Sequence, residues 1–202
     1  MDLIKCSKFL SYLLRHGAVE YNLKMSKDGF VKLDEILNLP QSKSYKLDLI
    51  KIKSIVENND KKRFELMTNG NNEIFIRACQ GHSIKHLEES QMMKEIIDPR
   101  QFSTVIHGTN ENAYKKIKEE GLKVMNRNHI HFAIGYPENK NVISGMRKNC
   151  QIFIEIDVEK AMKDGINFFL SNNNVVLSSG LDGVIHPKYF KVVRDRHRKV
   201  IQ

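Results

Sequence analysis

Arginine and histidine stand together in three short stretches of this 202-residue chain. They are Leu14-Arg15-His16-Gly17, then Arg77-Ala78-Cys79-Gln80-Gly81-His82-Ser83, and finally His107-Gly108-Thr109 followed by Met125-Asn126-Arg127-Asn128-His129-Ile130-His131. A guanidinium fork matches two phosphate oxygens, and an imidazole donates to phosphate or moves a proton near neutral pH. Gly, Ser and Thr beside them add close backbone approach and hydroxyl donors. The pattern points to a site that grips more than one phosphate.

Each group also has a plainer use. Arg15 and His16 fall in a last helical turn, where cations suit the carbonyl end of the helix dipole. Arg63 opens a strand, and a strand side chain faces either a cleft or the surface. Gln80 to Ser83 makes a poor core and a poor helix; it is a loop of donors for a polar ligand, or a loop held by its own hydrogen bonds. His107-Gly108-Thr109 ends a strand, where side chains and backbone can hold a sugar or an amide. Alternation through Ile130-His131-Phe132 sends His129 and His131 to one face. No carboxylate or cysteine has the spacing to complete a metal site, so no metal is expected. Arg147 sits in a loop, to contact an anion or cap a strand end. The chain has no G-x-G-x-x-G fingerprint and no P-loop, so any nucleotide is bound another way.

Positioning these groups requires helices first and strands later. Leu3, Cys6, Leu10, Leu13 and Leu14 recur at helical spacing, and Gly17 reads as a left-handed helix stop. Asp28-Gly29 is a turn, Phe30 to Leu33 a short strand or helix lead-in, and Tyr45 to Val56 a second amphipathic helix. Arg63 to Met67 and Glu73 to Arg77 read as a hairpin joined by a tight Asn69-Gly70 turn. Glu88-Glu89 and Asp98-Pro99 mark a boundary, with little strand character before Val105, giving lobes at 1–98 and 99–202. In the second lobe, Thr104 to His107 is a strand and Asn110 caps a helix that runs to Glu120. Short strands follow at Ile130 to Ala133, Gln151 to Ile156, Ile166 to Leu170 and Val175 to Ser178, with a helix from Asp157 to Asp164. Ser171 to Asn174 is a turn, and Arg194 to Lys199 a solvated basic tail. The fold class is α+β, with a helix-and-hairpin first lobe of winged helix-turn-helix type.

Composition sets outer bounds. A 41% apolar content supports a core, and no apolar run approaches membrane-spanning length. The start, Met1-Asp2-Leu3-Ile4-Lys5, suits neither a signal nor a transit peptide, and Cys6, Cys79 and Cys150 are too scattered for a disulfide framework. An intracellular setting, cytoplasmic or nuclear, is expected, with no membrane and no obligate protein partner. The net charge of +9 favours polyanions, or else a soluble Lys-rich surface. It is uneven: residues 1–98 hold 16 Lys+Arg against 14 Asp+Glu, and residues 99–202 hold 17 against 10.

Taken in order, the stretches resemble the RNA (tRNA) 2′-phosphotransferase family. The carrying segments are Ser7 to His16, Asp28 to Val31, Lys62 to Leu66, Arg77 to Ser83, His107 to Thr109, Met125 to His131, Ser144 to Arg147 and Asn174 to Leu177. They span nearly the whole chain. The resemblance implies a winged-helix RNA lobe and an ADP-ribosyltransferase-like, NAD-binding lobe. It also implies NAD⁺ consumed as co-substrate, and an RNA substrate with an internal 2′-phosphate. The family's Arg-His-Arg-Arg catalytic tetrad resembles Arg15, His16, Arg63 and Arg127. His107, Gly108, Thr109, His131 and Arg147 correspond to NAD⁺ contacts, although Arg147 equally suits RNA. Arg77, His82 and Ser83 are expected to bind RNA phosphates or support the site. Asn22 stands where glycine is usual and Cys79 where asparagine is, which bears on local loop geometry. Two rivals differ in class. An ADP-ribosyltransferase that caps terminal nucleic-acid phosphates would stop at a phospho-ADP-ribosyl product. A noncatalytic winged-helix binder would leave His107, Arg127, His129 and His131 without a task.

Overall fold

The computed structural model describes residues 3–85, 87–88, 92–139, 142, 144–147 and 149–202. It divides into two compact units, Met1–Met92 and Met93–Gln202. Together they make a mixed helix-and-sheet protein with three sheets among the described residues.

The first unit begins with helix α1 (Leu3–Tyr12), which buries Cys6 and Leu10. The chain then widens into one π-type turn, Leu13–Gly17, that buries Leu13 and Leu14. Gly17 is therefore not the left-handed stop expected of it, since the backbone stays right-handed into Ala18. A close approach explains the glycine instead: a Cβ there would lie 2.7 Å from the Tyr12 ring. Asn22 is left-handed at φ 51°, a conformation that asparagine tolerates better than most residues, so the loss of glycine there is absorbed.

Strand β1 (Val31–Lys32) and helices α2 (Leu33–Leu37), α3 (Pro40–Ser44) and α4 (Leu49–Glu57) follow. The expected helix from Tyr45 starts later, because the Asp48 side chain accepts from the Lys51 N–H and fixes the start of α4 there. Strands β2 (Phe64–Thr68) and β3 (Ile74–Ala78) form the hairpin, and β1 adds to it in the order β1-β3-β2, all antiparallel. Its loop is longer than an Asn-Gly pair. The Asn69 carboxamide accepts from the N–H groups of Asn71 and Glu73, and Asn72 takes the positive φ. Leu10, Leu13, Leu14, Val31, Ile36, Ile52, Phe64 and Ile76 close one core beneath the sheet.

The second unit starts earlier than residue 99, because Met93–Glu95 is a strand, β4, at the edge of its main sheet. Glu88 lies before it, and Glu89 is outside the described residues. The elements that follow are β5 (Ile106–Thr109), α5 (Glu111–Glu120), β6 (Leu122–Lys123), β7 (Ile130–Ala133), β8 (Ile152–Ile156) and α6 (Val158–Lys163). The last are β9 (Phe169–Ser171), β10 (Val175–Ser178), β11 (Val184–Ile185) and β12 (Phe190–Asp195). Seven strands form one antiparallel sheet, β12-β8-β5-β7-β10-β9-β4, while β11 and β6 pair as a separate ribbon.

Asn110 caps α5 through the Ala113 N–H, as the sequence predicts, and Gly121 follows the helix at φ 83°. Phe132, Phe168, Ile154, Val176 and Tyr189 anchor the core. The basic C-terminal segment is not a free tail. Residues through Asp195 pair with β8, Arg194 bridges to Val200, and the Arg198 guanidinium lies 3.8 Å over Tyr136 and 4.4 Å over Phe153.

Candidate active site

In the first unit, the π-type turn pushes Arg15 and His16 out of regular helical register while Leu13 and Leu14 stay buried. Single π turns recur at functional positions because they redirect side chains without ending the helix. The loop after β3 then holds both residues. The Ser83 N–H donates to the Arg15 carbonyl at 3.0 Å, and the Ser83 hydroxyl lies 2.9 Å from His16 Nδ1. A Cβ added to Gly81 would lie 3.6 Å from the Arg15 guanidinium carbon. The Tyr12 ring sits 6.3 Å from the exposed His16 ring, and the Tyr12 hydroxyl donates to Glu20.

Arg63 is tied to the same loop through its backbone, since the Cys79 N–H donates to its carbonyl at 2.8 Å. Its guanidinium donates to Asn59 Oδ1 at 3.1 Å. Cys79 is buried. Desolvation first, and then the Glu65 charge, push its thiol up to about 11 against the opposing pull of Arg77 and Arg15. It stays a neutral thiol.

Arg77 and His82 are interior. Arg77 faces Glu65 across the hairpin, bonds it at 2.9 Å, donates to the Asp28 carbonyl at 3.1 Å and stacks 4.4 Å over Phe30. His82 is 2% exposed and packs against the Gly29 turn. Of the two roles expected for this pair, burial fits support; contact with RNA would need the guanidinium of Arg77 pulled from its carboxylates. Ser83 reaches the tetrad candidates Arg15 and His16 directly.

In the second unit, β5 and β7 bring the two strand histidines together. His107 Nδ1–H donates to the His131 carbonyl at 3.0 Å, which leaves Nε2 as the acceptor of the neutral ring. Burial draws His107 below the ordinary imidazole range, and the bond to His131 offsets part of that. Its ring meets Phe132 edge-on at 6.0 Å. His131 lies within β7 and is buried. His129 precedes the strand, so alternation does not govern it; its ring packs on Phe169 at 6.2 Å.

Gly145, Met146 and Cys150 lie against these strands. A Cβ on Gly145 would fall 2.8 Å from the Ala133 backbone, and one on Gly108 would fall 2.7 Å from Cys150 Sγ. The two glycines admit these approaches, and Arg147, which follows two residues after Gly145, is exposed. Arg127 senses it. Partial burial, and then the like charge of Arg147, draw the Arg127 guanidinium down from its usual value. Like charges this near suit an anion that neutralises both. Among the described residues, no three His, Cys, Asp or Glu side chains gather as metal ligands would.

Sequence reasoning missed Tyr12, Asn59, Glu65 and Asp28. The first was within reach, since Tyr12 and His16 are spaced i, i+4. Pairing Glu65 with Arg77 required the hairpin register, which depends on the true loop length.

Guanidinium groups held by loops, with imidazoles fixed through one nitrogen, define a protein built to handle phosphate esters. The chain belongs to the RNA 2′-phosphotransferase, Tpt1/KptA family, whose model matches residues 2–180. It is 42% identical over 200 residues to a putative tRNA 2′-phosphotransferase of Schizosaccharomyces pombe, covering 99% of this chain and 53% of that protein. This chain thus spans about half the length of that relative. It is 42% identical over 192 residues to tRNA 2′-phosphotransferase 1 of Danio rerio, covering 93% of this chain and 83% of that one. It is 40% identical over 182 residues to the tRNA 2′-phosphotransferase of Saccharomyces cerevisiae, covering 88% and 79% respectively. Among the described residues, no helix is long and apolar enough to cross a membrane.

Proposed function

We propose that this protein removes an internal 2′-phosphate from RNA, of the kind left at a tRNA splice junction, by transferring it to the ADP-ribose part of NAD⁺. The products are RNA with a 2′-hydroxyl, nicotinamide and ADP-ribose 1″,2″-cyclic phosphate. The first unit acts as a winged-helix RNA lobe and the second as an ADP-ribosyltransferase-type lobe. The observation that carries this reading is the family match, which spans residues 2–180 and so reaches into both units.

NAD⁺ supplies an electrophilic ribose carbon bearing nicotinamide as leaving group, and a neighbouring hydroxyl that later attacks phosphorus. The residues of the second unit fit such a partner. His107, fixed as the Nδ1–H tautomer, presents Nε2 to accept from a ribose hydroxyl. Thr109 and His131 add polar atoms at the same strand ends, Gly108 keeps the backbone narrow, and Arg147 neutralises phosphate charge. Arg15, Arg63 and Arg127 hold the nonbridging oxygens of the RNA phosphate, on which charge gathers as a fifth oxygen approaches phosphorus. His16, engaged by Ser83 at Nδ1, uses its other nitrogen to give a proton to the RNA O2′ as the P–O bond breaks. The Ser83 and Gly81 contacts set Arg15 and His16 beforehand, so little reorganisation is left for the reaction.

The test is incubation with NAD⁺ and an RNA bearing one internal 2′-phosphate. Loss of that phosphate, with release of the cyclic product, is the expected result. RNA that gains ADP-ribose and goes no further would mark a capping transferase instead. RNA that is bound but unchanged would mark a noncatalytic binder.

A further inference from the structure

Met125 is the one residue of its stretch whose exposure and backbone both oppose its chemistry. Its side chain is apolar yet 79% exposed, and its φ of 56° lies in the left-handed region that an unbranched L side chain seldom adopts. The turn that holds it is well made. The Val124 N–H donates to the Gly183 carbonyl at 3.0 Å, extending the β6–β11 ribbon, and the Arg127 N–H donates to the Val124 carbonyl at 3.1 Å. A turn this well fixed, with a strained apolar tip that packing does not shield, marks strain kept for a function rather than for the fold.

We propose that the Met125 side chain is the surface on which the base of the 2′-phosphorylated RNA nucleotide stacks. This rests on the reading of the protein as an RNA 2′-phosphotransferase and names a further contact of that same site. Arg127 follows two residues later and faces the like charge of Arg147, so the turn offers an apolar face beside paired cations. A nucleotide presents the complement, a flat base within a few bonds of a dianionic phosphate. A thioether is polarisable and suits the face or edge of a π-system. The occupant is RNA rather than the adenine of NAD⁺. The β6–β11 ribbon lies outside the seven-stranded sheet that carries His107 and His131, and it carries Arg127 at its end.

The experiment pairs two variants with two RNAs. Met125→Gly removes the side chain and relieves the left-handed strain; Met125→Asn keeps a residue that tolerates it. Both are assayed with an RNA carrying one internal 2′-phosphate, and with the same RNA made abasic at that nucleotide. KM for the intact RNA is expected to rise about fivefold to tenfold, the low end of base stacking on a side chain. KM for NAD⁺ should hold and the thermal midpoint should not fall. On the abasic RNA the wild type loses the same factor and the variants lose nothing more. An unchanged KM for RNA overturns the proposal, and so does a rise confined to KM for NAD⁺, which would assign Met125 to adenine. Wild-type protein that removes no phosphate from either RNA would instead overturn the proposed function, and this contact with it.

Discussion

At the scale of single residues, the site is governed by what fixes each cation before substrate arrives. Arg15 and His16 are held through Ser83, whereas Arg63 is held by Asn59 and by its own carbonyl. Arg63→Ala and Arg127→Ala are expected to slow the second step more than the first, because phosphorus gathers charge there. The loss should be about 2–4 kcal/mol of transition-state stabilisation, as for one oxyanion donor. Rapid-quench assays should then show ADP-ribosylated RNA accumulating, and unchanged turnover would contradict the assignment. The proposed function puts His107 at the other end of the sequence of events. His107→Ala should slow single-turnover nicotinamide release, and normal release would count against an NAD⁺ contact. The same ring contributes to stability with a definite sign. Its folded pKa lies below the ordinary 6.5, so the unfolded chain takes up the proton first. Its contribution is complete above that value and is lost as pH falls through the folded one. The thermal midpoint of His107→Asn should therefore fall less steeply than wild type below about pH 6.5.

At the scale of elements, helices and strands with local signals were legible and long-range ties were not. The stripe from Leu3 to Leu14, the Asn110 cap and the strand from Ile130 to Ala133 follow from periodicity and capping alone. The π-type turn at Leu13–Gly17 was not readable, because a wider turn keeps the same apolar spacing and changes only where Arg15 and His16 point. Strand β4 escaped because three residues at a sheet edge carry too little alternation. The basic segment at Arg194 to Lys199 looked solvated because its partners, Tyr136 and Phe153, are far away in sequence. The tetrad candidates came from the family resemblance; which loops hold them was not legible in the sequence. Arg77 shows the difference. Its side chain is only 9% exposed while its partner carboxylates remain about a third open to solvent. Removing it takes the guanidinium from Glu65 and Asp28 and opens the stack on Phe30. Arg77→Ala is expected to cost about 2–3 kcal/mol, below a fully buried pair because solvent screens the acids. Urea unfolding measures this, and a loss of RNA affinity at unchanged stability would return Arg77 to the RNA surface.

At the scale of the whole molecule, the charge of +9 allows two readings that salt dependence separates. If the surplus were only a solubilising surface, salt would change RNA use little beyond general screening. If Arg15, Arg63 and Arg127 neutralise the RNA 2′-phosphate, counterions leave the RNA when it binds. The affinity then falls on a log–log plot with a slope of about −0.7 per single-stranded phosphate contact. Raising monovalent salt about fourfold should cut kcat/KM for the RNA roughly two- to threefold through that phosphate, and further for each additional phosphate held. NAD⁺ is a small ligand without a dense counterion atmosphere, so its KM should move far less over the same range. Arg127→Ala should flatten the RNA slope as well as lower the affinity, because a fixed cation on that phosphate has been removed. Substituting Lys53, exposed on α4 and outside the tetrad, gives the contrast: its slope should match wild type if the tetrad accounts for the binding charge. An equal drop for both variants would show that diffuse surface charge, and not the fixed guanidinium groups, draws the RNA in.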